Sequence, residues 1–107
     1  MTGGQKGAKS ALFDRIPPSV LVQLAEHYGT GEGKYPGDEH GPNYAKGYDW
    51  ALSYAAAMRH LTAFWAGEDL DPETGHKHVI AAAWHCIAMA YFMDHHRAGD
   101  TRWDREL

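Results

Sequence analysis

Residues 76–96 read His-Lys-His-Val-Ile-Ala-Ala-Ala-Trp-His-Cys-Ile-Ala-Met-Ala-Tyr-Phe-Met-Asp-His-His, and this stretch decides the fold. Val79, Ile80, Ala83, Ile87, Ala90 and Tyr91 recur on one side of a helix, with Met89, Phe92 and Met93 on another. A helix that is apolar nearly all round is buried on two faces, by neighbouring helices or by a second subunit. Upstream, Tyr48 to Ala66 is rich in alanine and spaces Tyr54, Met58, Leu61 and Trp65 at steps of four, three and four. That is a second helix, stopped by Gly67. Pro17-Pro18 opens a short third helix carrying Val20, Leu21, Leu24 and Tyr28, whose pattern ends at Gly29. Residues 29–47 then hold six glycines and two prolines with no sustained period, a long loop for so small a fold and therefore a candidate binding element. No segment alternates as a strand does. The expected class is all-α: a small helical bundle of two long antiparallel helices, a short N-terminal helix and a long glycine-rich loop.

The 107 residues fit one domain, residues 1–107, with a loose head over 1–10 and a polar tail over 98–107 that frays. His95 and His96 fall at that fraying end and are expected to be inert. A net charge of −4 argues against duplex nucleic acid or an anionic membrane as the partner. The single cysteine, Cys86, lies in an apolar run and reads as a small core residue in a reducing, cytoplasmic setting. No signal-peptide pattern opens the chain, and no apolar run reaches the roughly 18 residues of a membrane span.

The chemistry concentrates in residues 59–78, which place Glu68, Asp69, Asp71 and Glu73 with His60, His76 and His78 around one helix-to-helix turn. Crowded carboxylates repel one another unless solvent, a cation or a basic ligand offsets them. Glu68 and Asp71, three residues apart, share a face wherever a helical turn persists, and a pair of carboxylates holds a hard divalent cation beside phosphates. Glu73 is a third ligand or the base that takes a proton from water. The plainer reading makes Asp71-Pro72 the cap and first turn of the following helix, with Glu73 complementing its dipole. His78, His85 and His96 fall in one narrow stripe, and a polar stripe on an apolar helix faces water or a lined cavity. His60 reaches the same cavity if the two long helices pack antiparallel. Direct histidine ligation favours manganese, zinc or iron over magnesium.

Cations for a polyphosphate are few. Lys9, Arg15, Lys34, Lys46 and Arg59 are the candidates for phosphate, with Lys9, Lys34 and Arg59 preferred, and Tyr35, beside Lys34 in the loop, for stacking on a base. The loop has neither P-loop spacing nor a dinucleotide fingerprint.

Taken in order, these pieces resemble the phage dATP/dGTP diphosphohydrolase family, relatives of the MazG-like all-α nucleotide pyrophosphohydrolases. The pieces are Lys9 to Leu12, Ile16-Pro17-Pro18, Leu21 to Gly29, Lys34-Tyr35, Asn43-Tyr44 and Lys46-Gly47. They continue through Arg59-His60-Leu61, Trp65-Ala66-Gly67-Glu68, Asp71-Pro72-Glu73-Thr74-Gly75 and His78. The resemblance implies hydrolysis of purine deoxynucleoside triphosphates to the monophosphate and pyrophosphate in a host cytoplasm, with Mg2+ or Mn2+, by a homodimer or homotetramer. In that reading Glu73 and His60 are catalytic, Glu68, Asp71 and His78 hold the metal, and Lys9, Lys34, Tyr35 and Arg59 bind substrate. The chain departs from the MazG-like pattern in having no acid over residues 50–66, where such enzymes carry a Glu-x-x-Glu pair, and in having His85 where similar sequences have Asn. A non-catalytic protein that binds or sequesters a nucleotide is the alternative.

Overall fold

A computed structural model describes residues 3–7 and 9–103. Three α-helices make the fold: α1, Pro18–Lys34; α2, Trp50–Trp65; and α3, His78–His95. Single 3-10 turns at Phe13–Arg15, Asn43–Lys46 and Arg97–Gly99 complete it, and no strand occurs among the described residues. The class is all-α, as the periodicity indicates. Helices α2 and α3 pack antiparallel: Trp50 at the start of α2 meets Phe92 and His96, while His60 near its end meets His78. Helix α1 lies across α3.

Alanine decides how closely α2 and α3 approach. Ala57, Ala81, Ala82 and Ala88 are buried, so the backbones come together with little side-chain entropy lost. The larger core residues, Trp50 and Phe92, sit at one end with Tyr44, Tyr48, Trp84 and Tyr91 around them. Tyr44 places its ring 5.9 Å from Tyr28, 5.5 Å from Trp84 and 5.9 Å from Tyr91, pinning the connection between α1 and α2 onto the bundle.

Helix α1 runs past Gly29 to Lys34, through Gly31 and Gly33. Three interior glycines cost roughly 1 kcal/mol each against alanine. Contacts beyond the sequence pattern offset this. Tyr28 rests 5.7 Å from the Trp84 ring, and Lys34, a favourable charge in the last turn, bonds Glu73 at 3.0 Å. The loop is correspondingly shorter and more ordered than the glycines suggest. It folds at Asp38–Gly41, and the Lys46 ammonium meets Asp38 at 3.0 Å.

The chain after α3 is clasped, not frayed, as far as the described residues go. The Nε2–H of His96 donates to the Ala45 carbonyl at 2.7 Å, and the Trp50 indole donates to the His96 carbonyl at 3.2 Å. Gly47, at φ 87°, lies against the His96 ring, where a Cβ would stand 2.7 Å from Cγ. The Ala51 N–H donates to Thr101 Oγ1, and the guanidiniums of Arg97 and Arg102 lie 5.4 and 5.0 Å from the Trp50 ring. His96 is thus a structural pin; residues 104–107 of the tail lie outside the described residues.

Burial in α3 is one-sided in the single chain. Ile80, Ala81, Ala88 and Phe92 are covered, whereas Val79, Ile87, Met93 and Cys86 are exposed, so Cys86 is no core residue here. Helix α2 has two apolar seams. Trp50, Ser53, Ala57 and His60 face α3; Tyr54, Met58, Leu61 and Trp65 face outward, with Trp65 86% exposed. No described helix is long and apolar enough to cross a membrane.

Candidate functional site

The turn between α2 and α3 is a tied hairpin. Gly67, at φ 106°, ends α2, and Leu70 bridges to Lys77. The Asp71 N–H donates to the His76 carbonyl at 2.8 Å, and the Gly75 N–H, at φ 75°, donates to the Asp71 carbonyl at 2.7 Å. The Asp71 carboxylate accepts the Glu73 N–H at 3.0 Å, and Thr74 Oγ1 accepts the His76 N–H at 3.1 Å. Helix α3 begins only at His78, with Lys77 before it and no side-chain cap. Asp71-Pro72 therefore does not cap α3. The carboxylate folds its own turn and stays beside the histidines.

Five of the eight histidines gather here: His27 from α1, His60 from α2, His76 from the turn, and His78 and His85 from α3. Two pairs meet through Nδ1 atoms, His60 with His78 and His27 with His76, each at 2.9 Å. His78 is buried and its Nε2 lies 2.6 Å from Glu68 Oε1. An ionised carboxylate only accepts, so Nε2 carries the proton and the lone pair of neutral His78 is on Nδ1, aimed at His60. One ligand atom from each of His60, Asp71 and His78 lies within 4.8 Å of the others. His85 stacks 6.1 Å from His60, and its Nδ1 bonds Ser53 Oγ at 2.9 Å, which in turn meets the Tyr48 hydroxyl.

Burial sets the charge of these rings. It pushes His85 down to about 4, with the neighbouring His60, His27 and Arg59 adding to the effect. His60 is lowered by burial above all, with His78 and Arg59 in the same direction and Asp71 and Glu73 opposing. His27 is lowered by burial, then by His76 and His60, against the opposing charge of Asp71. A neutral ring keeps one lone pair, and in each Nδ1–Nδ1 pair one nitrogen donates its hydrogen to the other, so a cation entering there displaces that proton.

The sequence-derived candidates separate into two groups. His60, Asp71 and His78 come together, and Glu68 stands behind His78 on the nitrogen away from His60. Glu73 points elsewhere, an exposed partner of Lys34. The Tyr35 ring is exposed, 5.6 Å from the Lys34 ammonium. Arg59 is exposed beside His60, and Lys9 lies exposed in the irregular N-terminal segment. Sequence reasoning passed over His27, whose position just before the glycines of α1 carries no motif. Beside it, a cleft of about 180 Å³ is lined by Gln23 and Glu26 of α1, Leu70, Gly75, His76 and Lys77 of the turn, and Ile80.

The donor set can hold a divalent cation. Around an ion with bonds of ~2.1 Å, adjacent octahedral donors stand ~3.0 Å apart and tetrahedral ones ~3.4 Å. The 2.9 Å between His60 and His78 suits the octahedral edge. Glu68 completes the carboxylate–histidine arrangement that fixes a ligand's tautomer.

The family described as "dATP/dGTP diphosphohydrolase, N-terminal" matches residues 1–102, and the chain belongs to it. Neither a curated protein nor a solved structure matches.

Proposed function

From this family membership we propose that the chain is a cation-dependent diphosphohydrolase that converts dATP or dGTP to the monophosphate and pyrophosphate. The observation that carries the reading is the His60–His78 pair, with Asp71 as the third donor and Glu68 orienting His78. A cation held there supplies Lewis acidity toward phosphate oxygens and acidifies bound water. Two nitrogen donors make Mn2+ a better fit than Mg2+. The roles expected from sequence shift accordingly: His60 joins the ligands, and Glu68 orients a ligand from behind. Lys34 reaches phosphate by exchanging its Glu73 partner, Arg59 adds positive charge at the rim, and the exposed Tyr35 ring offers a stacking surface for purine. Lys9 has no place in this geometry, and neither does Glu73 as a base while it pairs with Lys34.

Self-association belongs to the proposal. The chain exposes 8398 Å² and has a radius of gyration of 17.2 Å. A compact monomer of its mass exposes roughly 5,900 Å² with a radius near 13 Å. The irregular N-terminal segment contributes part of the excess; the outward seam of α2 contributes an apolar part that a second copy would cover. The cleft is also below the ~300 Å³ at which nucleotide-sized ligands are enclosed. A second copy would supply further walls. The setting that fits is a phage-infected host cytoplasm.

Binding without turnover is the second reading, favoured by the absence of any carboxylate on α2. Incubation with dATP or dGTP and Mn2+ separates the two. Equimolar monophosphate and pyrophosphate support hydrolysis, and tight binding with unchanged nucleotide supports sequestration.

A further inference from the structure

The His27–His76 pair is unused by the reading above, yet it repeats the geometry of the His60–His78 pair. We propose that His27 and His76 form a second divalent-cation site, opening on the cleft lined by Gln23 and Glu26 and selective for ions that accept imidazole nitrogen. The inference rests on the proposed function only for the role of the ion, not for its binding.

Three observations carry it. First, two Nδ1 atoms 2.9 Å apart come from elements 49 residues distant in sequence, one on α1 and one on the turn, so chain proximity does not bring them together. The spacing again matches the ~3.0 Å edge of an octahedron. Second, His76 is held in place before any ion arrives. Its N–H is bound by Thr74, its carbonyl by Asp71, and the bend before it is set by Gly75 at φ 75°. Third, His76 lines a cleft of about 180 Å³ whose α1 wall carries two oxygen-bearing side chains, Gln23 and Glu26. The negative charge of Asp71 reaches His27, which favours a cation there. Asp71 acts the same way on His60. One carboxylate thus lies in the field of both pairs. Two imidazole donors favour Mn2+, Co2+ or Zn2+ over Mg2+.

The test is calorimetric titration of the full chain with Mn2+, and with Co2+ followed by its visible absorption. Wild type is expected to bind two ions per chain, and His27→Asn and His76→Gln one each, with the remaining site unchanged within about threefold. His60→Asn is expected to lose the other ion. Far-ultraviolet circular dichroism and melting confirm that each variant folds; the two substitutions lie on different elements, so one unfolded variant leaves the other to decide. An ion count unchanged from wild type in both His27→Asn and His76→Gln overturns the inference. Loss of an ion in these variants with none lost in His60→Asn overturns instead the first site and leaves the second standing.

Discussion

Replacing Glu68 by Gln isolates the carboxylate that sets the tautomer of His78. In the native arrangement Glu68 Oε1 accepts the His78 Nε2–H at 2.6 Å, leaving Nδ1 as the lone pair toward His60. A glutamine amide can donate instead. Its oxygen can also accept, so the substitution no longer fixes the proton on Nε2, and the tautomer with the proton on Nδ1 becomes populated. Loss of such an orienting partner costs 10- to 100-fold in metal affinity, about 1.4–2.7 kcal/mol. Fold stability is expected to change by less than ~1 kcal/mol, because the Glu68 side chain is half exposed. The assay is Mn2+ titration by electron paramagnetic resonance, with thermal melts of the metal-free protein as control. Affinity within twofold of wild type refutes the tautomer argument. Loss of affinity matched by an equal loss of metal-free stability refutes it too, because Glu68 would then be holding the fold.

Other consequences are as direct. His85 titrates near 4 in the fold against 6.5 unfolded, so the unfolded chain takes the proton first and stability falls as pH drops from about 6.5 toward 4. The loss amounts to up to ~3 kcal/mol, with His27 and His60 adding in the same sense, and circular dichroism melts of wild type against His85→Gln measure it. If the variant keeps the wild-type slope over this window, the cause lies elsewhere. Gly29→Ala is expected to raise the melting temperature through ~1 kcal/mol of helix propensity, since a Cβ there meets nothing within 4 Å. Gly47→Ala, at φ 87° and against His96, is expected to lower it through a loss of about 2 kcal/mol or more. Met58→Glu with Leu61→Glu is expected to give a monomer by light scattering; an unchanged mass would place self-association off the outer seam of α2.

The helices were legible because alanine, proline and apolar spacing act locally. The period of α2 also gave both its seams, but Tyr54, Met58, Leu61 and Trp65 cannot by themselves say which seam meets α3. The inner seam is built of small residues, Ser53 and Ala57, that allow close approach and carry little hydrophobic signal. The end of α1 is not legible for a related reason: Gly29 weakens a helix by about 1 kcal/mol, and the contacts that offset it, Tyr28 with Trp84 and Lys34 with Glu73, come from far along the chain. Likewise Asp71-Pro72 has the composition of a cap, yet the hydrogen bonds from Glu73 and Gly75 close a turn before any helix begins. Around the candidate site, the spacing of His60, Glu68, Asp71 and His78 was informative because one turn brings them together. His27 was not, because its partnership with His76 exists only after α1 docks on α3.

Pyrophosphate release from dGTP and dATP in the presence of Mn2+, measured for wild type and for His78→Asn after both are shown to be folded, tests the central claim most directly. The account predicts equimolar deoxynucleoside monophosphate and pyrophosphate from wild type, abolished by chelator and reduced at least 100-fold in His78→Asn. Release that persists at the wild-type rate in His78→Asn, or unchanged nucleotide in wild type with every divalent cation supplied, contradicts it.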